Sequence, residues 1–164
     1  MHEAQVHAGK IVAGALQLMK ELTEHGERNT LELNNAAEKY MMENEVYPSC
    51  KGYQPTWNAS RVYQYGTCIS INQEIGHGVP SIKKTLVDGD VVKFDIVGEH
   101  QGWHVDAAIT VPIGDIGAEQ MRLIELTKHA LVLGLEQAVV GNTVGHITRA
   151  IAKVAMENKL GIVV

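Results

Sequence analysis

Residues 91–111, VVKFDIVGEHQGWHVDAAITV, decide how this chain is organised. The stretch reads as two strands, 91–97 and 103–111, rich in β-branched and aromatic residues and joined by a four-residue loop, Glu99-His100-Gln101-Gly102. Pairing Gly98 with Trp103 places Asp95 directly opposite Asp106. Side chains so opposed lie about 5 Å apart at Cβ, where like charges repel, and Asp is a poor strand residue. Two aspartates facing each other in an apolar hairpin therefore need a partner. A divalent cation between them would turn repulsion into attraction. The plainer alternative is a solvated hairpin face whose carboxylates pair with Lys or Arg.

Outward from the hairpin, the 164-residue length fits one domain, or a large part of one, and 45% hydrophobic with 20% charged residues is a globular composition. The net charge of −5 and the lack of a Lys/Arg cluster argue against direct nucleic-acid binding. Two cysteines, Cys50 and Cys68, are too few for a disulfide framework and lack metal-finger spacing, so reduced thiols in a cytoplasmic protein are expected. No apolar run is long enough for a membrane span, and His2-Glu3 does not open a signal peptide.

Before the hairpin, apolar periodicity predicts a helix over 2–24, ended by His25-Gly26, and a second over 31–44 capped by Asn29-Thr30. His2, His7 and His25 are expected at the surface. Residues 46–66 form an irregular segment broken by Pro48, Gly52, Pro55, Asn58 and Gly66; its aromatics, Tyr47, Tyr53, Trp57, Tyr63 and Tyr65, either wall a pocket or pin the loop to the core. Asn58-Ala59-Ser60 matches a glycosylation acceptor that a cytoplasmic chain does not use. A strand over 67–72 leads into Gln73–Pro80, QEIGHGVP, which sets His77 between two glycines at an exposed bend. Asp88-Gly89-Asp90 turns the chain into the hairpin. After it come a long helix over 118–140, with Met121, Leu123, Ile124, Leu126, Leu131, Leu133 and Leu135 mostly buried, a further helix from Thr143 to Asn158, and a strand beginning at 160–164.

Together, Cys50-Lys51-Gly52-Tyr53, CISINQEIGHGVPS at 68–81, LVDGDVVKFDI at 86–96 and GWHVDAAIT at 102–110 resemble type I methionine aminopeptidase, in order and over nearly the whole chain. The resemblance implies an α+β pita-bread fold, an antiparallel curved sheet covered by helices. It implies two divalent metal ions (Co, Mn, Fe or Zn) at the centre and removal of the initiator methionine from nascent polypeptides, with the ribosome as the place of encounter. Asp95 then resembles the bidentate metal ligand and Asp106 the bridging one. His77 resembles the imidazole that contacts the scissile amide. Cys50, Tyr53 and Cys68 resemble part of the methionine pocket, where thiol and aromatic groups suit a thioether. Carboxylate oxygens suit such metals in a mixed oxygen/nitrogen site.

Three departures from the family pattern stand out. Val105 replaces the usual glycine and is expected to add bulk beside Asp106. The loop between Tyr53 and Cys68 is long, leaving either Tyr63 or Tyr65 as the second pocket aromatic. The family's remaining ligands, a His and two Glu, lie beyond the position matching Val164. The expectation is thus a single catalytic-type domain, 1–164, forming the N-terminal two-thirds of such an enzyme. It is incomplete at the C-terminus, carries two of the expected metal ligands, is inactive or impaired alone, and has a truncated sheet edge prone to self-association. The alternatives are a non-catalytic pita-bread binding module and a fragment of a related metallopeptidase, such as a proline-specific aminopeptidase.

Overall fold

The computed structural model describes residues 2–54 and 62–162. The chain divides into two compact units, Met1–Ile116 and Gly117–Val164. The first contains α1 (Glu3–Glu24), α2 (Thr30–Glu43), β1 (Tyr47–Pro48), β2 (Thr67–Ile71), β3 (Val91–His100) and β4 (Trp103–Pro112). The second contains α3 (Ala118–Glu136) and α4 (Val144–Glu157).

The spine of the first unit is β3. All of its partners are antiparallel: β4 pairs along its whole length, from Val91↔Pro112 to His100↔Trp103. The opposite edge is shared, with β2 beside Val92–Ile96 and β1 beside Gly98 and Glu99. Side chains alternate across a strand, so Val92, Phe94, Ile96 and Gly98 turn inward and are buried. Against that face lies α1, whose buried Ala4, Ala8, Val12, Ala15, Leu16 and Met19 recur at helical spacing. The approach is close. A Cβ on Gly98 would stand 2.5 Å from Val12 Cγ2 and 2.8 Å from Val46 Cγ1.

The caps follow local chemistry. His2 precedes α1 and its Nδ1 accepts from the Ala4 amide at 3.3 Å; the Asn29 side chain accepts from the Leu31 and Glu32 amides. At the other end of α1, Gly26 takes a φ of +101°, a left-handed conformation open to glycine. His7 is tied in more firmly than a surface residue. Its Nε2 bonds the Asn44 carbonyl at 2.9 Å, and its ring lies 4.5 Å from that of His100, whose Nδ1 bonds the Glu45 carbonyl at 2.6 Å.

The start of β2 is held by side chains of α2, the buried Asn34 above all. Asn34, on α2, accepts at Oδ1 from the amides of Gly66 and Thr67 and from the Thr67 hydroxyl, each at 3.1 Å. Asn34→Ala would take the acceptor from the Thr67 amide and hydroxyl, while the Gly66 amide keeps its 2.7 Å bond to Glu38 Oε1. A loss on the order of 3 kcal/mol is expected in urea unfolding, given about 1–3 kcal/mol for each buried group left unsatisfied. An unchanged midpoint would show that the donors find other partners.

In the second unit, Gly134 of α3 lets α4 come close: a Cβ there would sit 3.1 Å from Ile151 and 3.5 Å from Ile147. The long helix ends at Glu136, four residues before the expected Val140. Contrary to expectation, Met121 (41%), Leu123 (50%), Leu131 (56%) and Leu135 (62%) are exposed. The apolar positions of α3 spread around the helix, whereas one partner helix covers a single stripe of it. Leu160–Ile162 carry no regular structure, and the rest of the expected final strand lies outside the described residues, as do Pro55, Trp57 and the Asn58-Ala59-Ser60 acceptor.

Candidate active site

The hairpin connection is tighter than the sequence pattern predicts. Both strands run three or fewer residues further, and Gln101 and Gly102 alone make the turn, with φ of +51° and +82°. Two consecutive positive φ values belong to the primed turn that suits the right-handed twist of paired strands. The register therefore shifts by two residues. Asp95 lies opposite Ala108, and Asp106 opposite Val97, instead of facing each other. A two-residue shift preserves the face. Asp95 and Asp106 thus remain on one side of the sheet as diagonal neighbours, on the face opposite Phe94 and α1.

The carboxyl groups interact. Asp95 is held above the ordinary carboxylate range by burial first, then by the charge of Asp106 and a hydrogen bond with it; the nearby charge of His77 opposes the shift. With no cation present, ionised Asp95 works against the fold. Its pKa is raised on folding, so this penalty is full at neutral pH, fades as pH falls through the raised value, and is gone below the unfolded value near 3.8. Asp95→Asn is therefore expected to stabilise the chelator-treated chain at pH 7 by about 0.2–1 kcal/mol, the scale of an opposed like-charge pair. The gain should disappear on acidification towards pH 3.8. Thermal melts across that range check it; a destabilised variant at pH 7 contradicts the account.

His77 is exposed and adopts a φ of +55°, left-handed for a residue with a Cβ. The next residue explains how it is held. Gly78 runs against β2: its carbonyl accepts from the Ile69 amide at 2.8 Å and its amide donates to Ser70 Oγ at 2.9 Å. A Cβ on Gly78 would lie 2.2 Å from the Ile69 carbonyl oxygen, so only glycine allows this approach. The bend carries His77 to the side of Asp95 and Cys68, close enough for its charge to favour the ionised form of each.

On the same face, Cys68 pairs across from Asp95. The Cys50 and Cys68 thiols and the Tyr63 hydroxyl perturb one another's ionisation. Interaction with Cys50, and then with Tyr63, draws Cys68 down to about 7 against the raising effect of burial. Cys50 is pushed up, first by its interaction with Cys68 and then by burial. Sequence reasoning did not separate Tyr63 from Tyr65. In the structure the Tyr63 hydroxyl donates to the Thr67 carbonyl at 2.9 Å and the Gly78 carbonyl at 3.3 Å, and Tyr65 meets the Tyr63 ring edge-on at 5.9 Å. Tyr53 is joined to Cys50 through the backbone. Its amide donates to the Cys50 carbonyl at 3.1 Å, while the residue is 63% exposed.

Val105 does not crowd Asp106. Consecutive strand residues point to opposite faces, and Val105 turns towards α1, where a Cβ on Gly9 would be 3.9 Å from its Cγ1. The bulk expected beside the carboxylate is taken up by the helix-covered side.

Two carboxylates on one face, with a raised acid and an imidazole at their side, form a donor set suited to a divalent cation. Among the described residues, no group of three or more His, Cys, Asp or Glu side chains gathers into a fuller site. Also among the described residues, no helix is long and apolar enough to cross a membrane.

Comparison with known proteins identifies the class. The model of metallopeptidase family M24 matches residues 3–164, and the chain belongs to that family. It is homologous to methionine aminopeptidases. It is 38% identical over 148 residues to the methionine aminopeptidase of Aquifex aeolicus, covering 90% of this chain and 57% of the relative. With methionine aminopeptidase 1 of Bacillus subtilis the identity is 34% over 144 residues, covering 88% and 54%. A solved methionine aminopeptidase from Streptococci superposes with a TM-score of 0.88 at 26% identity, over 99% of this chain and 66% of that one. The α+β pita-bread architecture, with its antiparallel sheet packed by helices, is thereby shown. The chain spans little more than half the length of these curated relatives.

Proposed function

We propose that this chain supplies the hairpin half of a metal-dependent methionine aminopeptidase centre, acting on the N-termini of nascent polypeptides in the cytoplasm. The observation that carries the reading is the placing of Asp95 and Asp106 on one face as diagonal neighbours, near enough for the charge of Asp106 to raise Asp95, with His77 and Cys68 close enough to interact with Asp95.

In this reading Asp95 and Asp106 hold two divalent ions of the Mn, Co, Fe or Zn kind. When bound, the metal pair supplies Lewis acidity and a nucleophile at neutral pH. The remaining work falls to the chain's own side chains. His77, fixed by the left-handed bend, hydrogen-bonds the scissile amide and favours the charge that develops there. Cys50, Cys68 and Tyr53, with Tyr63 joining them, take the methionine side chain through soft, polarizable contacts. The family likeness and the geometry of the carboxylates support this assignment; the aligned relatives bear the methionine aminopeptidase name.

The test is release of free methionine from a Met-Ala-Ser peptide with added Co(II) or Mn(II). Two proteins are compared: the 164-residue chain, and the same chain joined to the C-terminal segment of the Aquifex aeolicus relative. The joined protein is expected to release methionine and its Asp95→Asn variant to release none. The chain alone is expected to be inactive or strongly impaired, because two carboxylates make an open site. Ordinary turnover by the Asp95→Asn variant overturns the assignment.

A further inference from the structure

We propose that Cys50 and Cys68 form a reversible intramolecular disulfide, making the pair a modification site for low-molecular-weight disulfides. The fold brings them together from separate segments. Pro48 pairs with Gly98, and the Ser49 amide donates to the Val97 carbonyl at 2.8 Å, so the chain leaving β1 runs down the edge of β3. At the other end, β2 enters the same edge with Thr67 opposite Ile96 and Cys68 opposite Asp95. The two segments therefore abut at one level of the sheet. The chain after Ser49 turns away there, with the Lys51 amide donating to the Pro48 carbonyl at 3.0 Å. Both thiols are free, and each perturbs the ionisation of the other across the junction. Bond formation brings the sulfurs to about 2.05 Å.

Accessibility gives the two sulfurs different parts. Cys50 is half-buried and open to reagent; Cys68 is 7% exposed. With a disulfide such as oxidised glutathione, the Cys50 sulfur attacks one reagent sulfur, breaks the reagent's bond and expels one glutathione thiolate. The Cys68 sulfur then attacks the Cys50 sulfur, breaks the mixed bond and expels the second. The two cysteine protons pass to the two released thiolates. The cysteine pair loses two electrons, and the reagent gains them. Thiol reductants of a reducing compartment reverse the reaction.

The consequence for substrate rests on the pocket reading above; the bond itself does not. Oxidation removes both thiols from the pocket wall. Methionine should then bind less well.

The experiment treats the reduced chain with oxidised glutathione, natively and in urea, then blocks free thiols and reads the peptides by mass. The expected native product has lost two hydrogen atoms and links the Cys50 and Cys68 peptides. Its ratio to mixed disulfide should be at least about tenfold higher than in urea, because the folded chain holds the sulfurs in place. A native ratio equal to that in urea, or native thiols that stay reduced, overturns the proposal without recourse to any variant. Cys68→Ser should trap a glutathione adduct on Cys50, as the attacking partner is gone; an unmodified Cys50 contradicts the assigned order. Saturation-transfer spectra with L-methionine separate the two claims. Weaker binding after oxidation, restored by reductant, supports the pocket switch. A fully formed disulfide with unchanged methionine binding overturns the pocket reading and leaves the bond standing.

Discussion

His77→Ala in the joined protein lowers kcat for Met-Ala-Ser by about a hundredfold, the range seen when one hydrogen bond to a developing charge is removed, while affinity for Mn(II) changes little. The asymmetry follows from where His77 stands. It lies beside Asp95 on a glycine-flanked bend, held by the Gly78 bonds to β2 instead of by any bond to the carboxylates. Removing the imidazole leaves the Asp95–Asp106 face intact. Loss confined to kcat marks a group that acts in the transition state, whereas a rise in KM alone would mark uniform binding. Steady-state rates and a metal titration of the same variant decide it. A variant with full turnover takes His77 out of the mechanism; a variant that loses metal as well makes it a ligand.

The second large effect is on metal itself. Mn(II) or Co(II) titrated calorimetrically into the chain at pH 7 should give a weak but measurable isotherm, and Asp106→Asn should weaken it by at least about tenfold. Changes one shell further out already alter metal affinity by about 10–100-fold. Acid should weaken binding too, because the cation competes with a proton that Asp95, with its raised pKa, holds more firmly than an ordinary carboxylate. Identical heats for the two proteins at pH 7 place the cation elsewhere.

These expectations depend on a face that the sequence defines better than the register. Alternation of Val92, Phe94 and Ile96 with Lys93, Asp95 and Val97 tells which side of β3 is buried, whatever the turn. The pairing depends on the turn, and Gln101-Gly102 offered a two-residue solution that competes with the four-residue loop. The same alternation, applied to Val105, shows that its bulk belongs with Gly9 and α1 and away from Asp106. The helices of the first unit were legible from their caps and periodicity, with Asn29 and His25 as the boundary signals. The site's flanks were harder to read because they arise from long-range contacts. That the chain after β1 meets the start of β2 follows from two segments sharing one edge of β3. Periodicity does not report which edge a distant segment takes. The exposure of Leu123 and Leu135 was missed for a related reason: an apolar residue on a helix declares a need for cover, and the cover comes from elsewhere.

The most direct measurement is paramagnetic broadening of amide resonances by substoichiometric Mn(II) in the isotopically labelled chain. If Asp95 and Asp106 form the metal-holding face, broadening centres on their amides and on those of Cys68 and His77, and Asp106→Asn abolishes it. Broadening centred instead on the His7–His100 pair, or spread evenly over the surface carboxylates, contradicts the assignment of the hairpin as the metal centre.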